Sequence, residues 1–249
     1  MTEFTVGIAG RLIRIRAMHD YAKEFCQAYL AEGEPDFTVE IFPEDIEFER
    51  VKSAREDEVE GRPVFEHKAD YLEILAIYRK VVVKMLDYGA FLFHGSSISV
   101  DGVGYLFTAK SGTGKSTHTR HWKKRFLSRC IIVNDDKPLL IVKEDGVMVC
   151  GTPWDGKHRK STNVVLPLNN LVVLERGERN EVQRIEAAEA LPLLLQQTYR
   201  PADPMALMKT LSLLEQAMKK VNLYRLKCTN SPEAVEAAYQ GMNRKDELL

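Results

Sequence analysis

Cysteine is scarce and scattered. Four occur, Cys26, Cys130, Cys150 and Cys228, with no C-x-x-C pair among them. That spacing fits neither a zinc cage nor a disulfide framework, so reduced and mostly buried thiols are expected. No apolar run approaches the roughly 20 residues needed to cross a bilayer, so no membrane partner is expected. Excess charge is also missing. Lys and Arg number 35 against 36 Asp and Glu, a formal net charge of -1. Nothing in that balance argues for a nucleic acid or an anionic membrane. The first residues lack the basic-then-apolar pattern of a secretion signal, which makes the cytoplasm the expected location. The tail holds Lys-Asp-Glu-Leu, but Leu249 follows it. A retention signal must be terminal, so this one reads as chance. Internal repeats and low-complexity stretches are absent as well.

What is present is an ordinary globular composition. Of 249 residues, 45% are hydrophobic and 29% charged, enough for one large domain or two small ones. Residues 1–17 alternate apolar and polar, which predicts two short strands with a turn near Gly10. Tyr21, Phe25 and Tyr29 recur at helical spacing, predicting a helix from His19 to Ala31. "FTVEIF" reads as a strand. Residues 44–68 are acidic and charge-rich and read as an exposed loop or strand connection. A long helix is expected over 67–88, with Leu72, Ile74, Leu75, Tyr78 and Val82 as its apolar stripe. The texture then changes. "AFLFHG", "SSISVD" and "GVGYLFTA" read as three strands punctuated by glycine. A helix is expected from Lys115 to Leu127, then a strand at "CIIVND" and a hairpin turning at Asp145-Gly146. "NVVLPLNNLVVLER" holds one or two more strands. The last third is helical. One helix spans Glu186–Gln197, and another opens at Asp203-Pro204 with a stripe of Met208, Leu211, Leu214, Met218 and Val221. After the short strand "LYRLKC", a last helix opens at Ser231-Pro232-Glu233. The change of texture sets a boundary near residue 88.

The most informative stretch is "FTAKSGTGKSTHTRHW". A chain bent by glycines points several N–H groups at one spot, and the following helix adds its positive N-terminal dipole. Ser111, Gly112, Thr113, Gly114, Lys115, Ser116 and Thr117 have the order of such a triphosphate cradle. Gly112 and Gly114 stand where the backbone must come closest. Lys115 is the lysine that reaches the β- and γ-phosphates, and Ser116 supplies a hydroxyl for Mg²⁺. The cradle pattern opens with glycine, whereas this chain has Ala109. Alanine serves there if its φ is negative.

A phosphate site of this kind also needs a carboxylate beside the metal, at the end of a neighbouring strand. "IIVNDDKP" supplies Asp135 and Asp136. One can hold Mg²⁺ and the other can take a proton from an attacking hydroxyl. Lys157, Arg159, Lys160 and Arg200 are candidates to neutralise charge on a moving phosphoryl group. Arg120 and His121 read as helix decoration. Trp122 reads as core packing and Trp154 stays open.

Together these residues carry a resemblance. "FHGSSISVDGVGYLFTAKSGTGKSTHTR" followed by "VNDDKP" resembles the core shared by HPr kinase/phosphorylase and ATP-dependent phosphoenolpyruvate carboxykinase. "GTPWDGKHRKS" and "LLLQQTYRPAD" are similar to small HPr kinase-related proteins. The resemblance covers roughly 90–160 strongly and 160–240 more loosely. It implies an α/β fold: a P-loop core with a mixed β-sheet and flanking helices over 89–249, like the C-terminal part of phosphoenolpyruvate carboxykinase. A small α+β region over 1–88 lies outside it. It implies ATP and Mg²⁺, with Mn²⁺ as a substitute. Lys115 would contact the phosphates, Ser116 and Asp136 would hold the metal, and Asp135 would be the general base or a second metal contact. His94, on a strand 21 residues before Lys115, would face the γ-phosphate or the metal, and Arg159 would be the catalytic cation. The implied activity is transfer of the γ-phosphate to a serine hydroxyl of a peptide, protein or small molecule. The related kinases are oligomers, so self-association is carried as an expectation. Two other readings remain. One is a nucleotide-binding regulatory or assembly module with little turnover. The other is a carboxykinase acting on oxaloacetate, for which the chain is short and the extra arginines and lysine are not found.

Overall fold

A computed structural model describes residues 1–59, 61–156 and 159–243. Among them are three sheets and seven α-helices, a mixed α/β arrangement. The chain divides into two compact units, Met1–Met85 and Leu86–Leu249. No helix of the described residues is long and apolar enough to cross a membrane. The terminal "KDELL" lies outside the described residues.

In the first unit, β1 (Thr2–Ile8) and β2 (Arg11–Ala17) form the hairpin that the alternation predicts. Phe4, Val6, Ile8, Ile13, Ile15 and Ala17 are buried, and the arginines between them are not. Ala9 and Gly10 make the turn with φ of 53° and 74°, the hand that matches strand twist. β3 (Phe37–Glu40) lies parallel to β2. The helix expected from His19 to Ala31 is shorter. α1 covers Tyr21–Phe25, and the chain then tightens into a 3-10 turn, with Tyr29 N donating to Cys26 O at 2.8 Å.

Residues 44–68 overturn the loop expectation. α2 (Pro43–Val59) fills most of this stretch. Its buried positions are Ile46, Glu49 and Asp57; with acids on the buried side, no apolar stripe announces the helix. Charge fixes it instead. α3 (Ala69–Met85) offers Arg79, whose Nε lies 2.5 Å from Glu49 Oε1, and Lys80, whose Nζ lies 2.5 Å from Asp45 Oδ2. On α3 itself Leu72, Ile74, Tyr78 and Val82 are buried as expected, and Leu75 is half-buried.

The second unit holds two sheets. The smaller is antiparallel, with β4 (Ala90–Leu92), β8 (Leu139–Lys143), β9 (Gly146–Cys150) and β10 (Val165–Pro167) in the order β10-β9-β8-β4. The larger contains β5 (Ser96–Val100), β6 (Val103–Thr108), β7 (Cys130–Asn134), β11 (Asn170–Arg176), β12 (Glu181–Arg184) and β13 (Asn222–Cys228) in the order β12-β13-β11-β6-β5-β7. β13, β11 and β6 run parallel, whereas β5 is antiparallel to both β6 and β7. β12 is a strand that the sequence reading did not foresee; its four residues are mostly exposed and polar.

α4 (Lys115–Phe126) and α7 (Glu233–Asn243) contribute to the core over this sheet. Trp122 is fully buried there, its ring 4.8 Å from Tyr105 and 5.5 Å from Phe107. α5 (Ala187–Gln197) and α6 (Pro204–Met218) follow. Asp203 caps α6 by accepting from Ala206 N at 2.7 Å. The stripe foreseen for α6 is corrected. Ala206, Thr210, Leu214, Ala217 and Met218 are buried, while Met208 is 64% exposed. Leu214 and Met218 keep their expected places, while Met208 and Leu211 lie outside and the small Ala206, Thr210 and Ala217 complete the inner face.

Inside the core, His118 is 5% exposed and its Nε2 accepts from Trp122 Nε1 at 2.9 Å. Burial, with His121 nearby, pushes its pKa down to about 4. The native fold therefore holds this imidazole neutral, while an unfolded histidine gains a proton near pH 6.5. The resulting stability is complete above that pH and is lost as pH falls toward 4. Between pH 7 and pH 5 the loss amounts to about 2 kcal/mol. Urea unfolding at the two pH values should show this decline, reduced in His118→Gln; equal slopes in both proteins would contradict it.

Candidate active site

β6 ends at Thr108, whose hydroxyl donates to His94 O at 3.0 Å. The chain then bends through Gly112 and Gly114, with φ of 75° and 116°. No protein atom lies within 4 Å of the place where a Cβ would stand on either. Backbone conformation alone therefore demands glycine at both. Gly114 is the left-handed residue that opens α4. Ala109 is buried in the core cluster and does not have positive φ. That removes the steric objection to alanine in place of glycine. Lys115 Nζ donates to Ala109 O at 3.1 Å, and Arg176 donates to Gly112 O at 2.6 Å, bracing the loop from β11. Burial pulls the Lys115 pKa below the usual lysine range, against the opposing pull of Asp136 and Asp135.

Asp135 and Asp136 follow β7 directly. Their placement depends on Asn134, which is fully buried. Its Oδ1 accepts from Asp136 N at 2.9 Å and from Lys137 N at 2.7 Å. Its Nδ2 donates to Thr152 O at 3.1 Å and to Thr152 Oγ1 at 3.0 Å. Asp135 is 7% exposed and accepts from the buried Ser96 hydroxyl at 2.5 Å. Asp136 lies 3.2 Å from His94 Nε2 and 3.5 Å from Lys137 Nζ. Burial alone would raise its pKa; the His94 hydrogen bond and the Lys137 charge outweigh that and hold the carboxyl below its ordinary value. Gly156, with φ of 77°, packs so closely that a Cβ there would stand 3.1 Å from Asp136 Cβ. Nearby, burial raises the pKa of Asp155, opposed in part by Ser161 and Arg159.

His94 is not on a strand, which corrects the expectation. It falls in the link between β4 and β5, where its N–H donates to Gln197 O at 2.7 Å. A bridge between Phe93 and Thr198 ties the same link to the end of α5.

These residues converge on one pocket of about 510 Å³. Its lining contains His94, Ser111, Gly112, Gly114, Lys115, Ser116, Thr117, Asp135 and Asp136, together with Arg120 and Gly156. Thr113 lines a second recess of about 470 Å³, on the side of β11 and β13. Gly112, Gly114 and Thr117 line both, so the loop forms a ridge between them. Arg159 is outside the pocket lining; it is exposed, has φ of 46°, and its charge bears on Asp155. Lys160 and Arg200 are exposed. Lys157 lies outside the described residues. Trp154 is 4% exposed and lines neither recess.

The sequence reading missed Arg120, Asn134, Ser96 and Gly156. Arg120 faces the pocket because its guanidinium folds back on the first turn of α4, donating to Ser116 O at 3.1 Å and to Thr117 Oγ1 at 2.9 Å. Its position four residues after Ser116 was the available signal. Among the described residues, no group of three or more His, Cys, Asp or Glu forms a metal cage. The side-chain oxygens lining this pocket include those of Ser111, Ser116, Thr117, Asp135 and Asp136, the type of atom a hard cation takes.

No family model matches the chain, and no curated relative matches it. Among solved structures, it is similar to the Hpr(Ser) kinase/phosphatase from Coxiella burnetii, with 12% identity and a TM-score of 0.36. That similarity covers 61% of this chain and 95% of the other. At this distance, the pocket's own residues must carry the functional reading.

Asn134→Ala would take the acceptor from two part-buried N–H groups and the donor from Thr152 O. It should destabilise the protein by about 3 kcal/mol in urea unfolding. Thr152→Val, which leaves both Oδ1 bonds and the Nδ2 bond to Thr152 O in place, should lose less; equal losses would contradict the role given to Oδ1.

Proposed function

We propose that this protein is an ATP-dependent kinase that moves the γ-phosphate to a serine-type hydroxyl of a peptide, a protein or a free amino acid. The observation that supports this best is the convergence of the glycine loop, Lys115, His94 and both aspartates on one pocket. The residue-level resemblance to HPr kinase/phosphorylase and phosphoenolpyruvate carboxykinase points the same way. Self-association, as in the related kinases, belongs to the same proposal.

Each residue then has a task. The N–H groups of 111–117 and the dipole of α4 bind the β- and γ-phosphates. Lys115 and Arg120 add positive charge there. The recess beyond the ridge takes the nucleoside. Ser116 and Asp136 fit Mg²⁺ or Mn²⁺, which when bound neutralises charge on the phosphates. His94 keeps Asp136 oriented and ionised. In the transfer itself, the acceptor oxygen bonds to the γ-phosphorus, the bond from that phosphorus to the β,γ-bridging oxygen breaks, and ADP leaves with the electron pair. Asp135 takes the hydroxyl proton.

Labelled ATP, Mg²⁺ and serine-bearing peptides provide the test. Asp135→Asn should lower transfer by about 10²- to 10⁴-fold while ATP affinity stays within a few-fold. Lys115→Ala should weaken ATP binding about 10-fold or more. Unchanged transfer in Asp135→Asn would remove the assigned base. If the wild-type protein binds ATP yet labels no acceptor and releases no phosphate, a nucleotide-binding module replaces the kinase.

A further inference from the structure

We infer that Ser96 and Thr119 are positioning residues for Asp135: two buried hydroxyls hold one oxygen of its carboxylate and leave the other to the pocket. The inference rests on the kinase reading above. Ser96, the first residue of β5, is fully buried, and its Oγ lies 2.5 Å from Asp135 Oδ1. Thr119, on α4, is 1% exposed; its Oγ1 lies 2.9 Å from Ser96 Oγ and 3.4 Å from the same Oδ1. Among the described residues, Oδ2 has no hydrogen-bond partner, and Asp135 lines the pocket.

Packing alone does not ask for these hydroxyls. A buried hydroxyl is costly unless paired, and an apolar side chain of similar size would fill either place. Ser96 donates to the carboxylate and Thr119 donates to Ser96, with its own longer contact to the same oxygen, so the two support it from different elements. β5 lies between β6 and β7, so Ser96 stands opposite Phe107 on the strand that delivers the loop, while its neighbour Ser97 stands opposite Asn134. Thr119 lies one turn beyond Ser116 and its hydroxyl comes within 3.3 Å of Ser116 O. The pair thus references the proton acceptor to the helix that begins with Lys115 and Ser116. Asp136 is held separately, by Asn134, His94 and Lys137. Loss of the hydroxyl pair should therefore disturb Asp135 alone.

The test uses the full chain with ATP, Mg²⁺ and water as the acceptor, measuring kcat and KM for hydrolysis, with thermal unfolding as a check on folding. Ser96→Ala and Thr119→Val should each lower kcat about 10- to 100-fold, the effect of a misplaced catalytic group. KM for ATP should stay within about 2-fold. Thr119→Ser, which restores the hydroxyl, should stay near the wild-type rate. Thr119→Val keeps the side-chain shape and answers the question if Ser96→Ala does not fold. Unchanged kcat in the variants, KM rising in step with the loss, or Thr119→Ser as impaired as Thr119→Val would overturn the inference and leave the kinase reading standing. A wild-type protein that binds ATP yet releases no phosphate and labels no serine-bearing peptide would instead remove the kinase reading, and this role with it.

Discussion

Asn134 Oδ1 accepts two consecutive backbone N–H groups, from Asp136 and Lys137, and turns the chain at the end of β7. The same side chain is anchored through its Nδ2 to Thr152. Because it is fully buried, breaking it would strand polar groups away from water, so the turn is held firmly. This one amide fixes the direction of the chain that carries both aspartates. It also ties that turn to the 151–156 segment, where Gly156 packs against Asp136. The aspartate side of the pocket depends on it.

Around this turn the charges are arranged in opposition. Lys115 is partly desolvated and faces two carboxylates. Asp136 is kept ionised by His94 and Lys137 despite burial. Asp135 takes its hydrogen bonds from hydroxyls while sharing the Lys115 charge with Asp136. Two adjacent acids of the same type therefore have different hydrogen-bond partners. The glycine loop supplies the other side of the pocket, where open space above Gly112 and Gly114 leaves their backbone approachable.

Much of this was legible in the sequence where chemistry and pattern coincide. Gly112, Gly114, Lys115 and Ser116 are close together in the chain, and the Asp135-Asp136 pair follows an apolar strand. Elsewhere the pattern misled. α2 buries Glu49 and Asp57 and pairs its acids with Arg79 and Lys80, so a rule based on apolar spacing sees only a charged loop. α6 buries Leu214 and Met218 of its expected stripe but exposes Met208 and Leu211, and fills the rest of that face with Ala206, Thr210 and Ala217. Ser96 and Asn134 look like ordinary strand residues; their importance comes from partners 39 and 18 positions away. His94 was singled out by the family resemblance, but only the fold shows that it pairs with Asp136. Arg120 was passed over because its approach to the pocket depends on a side chain folding back along its own helix.

The central claim is that the glycine loop and the aspartate turn form one nucleotide-phosphate site. Hydrogen–deuterium exchange of the full chain with and without ATP and Mg²⁺ tests it most directly. Binding should slow exchange of the backbone amides of 111–117 and, together with them, those of 134–137. Protection confined to one of these segments, or falling elsewhere in the chain, would contradict it.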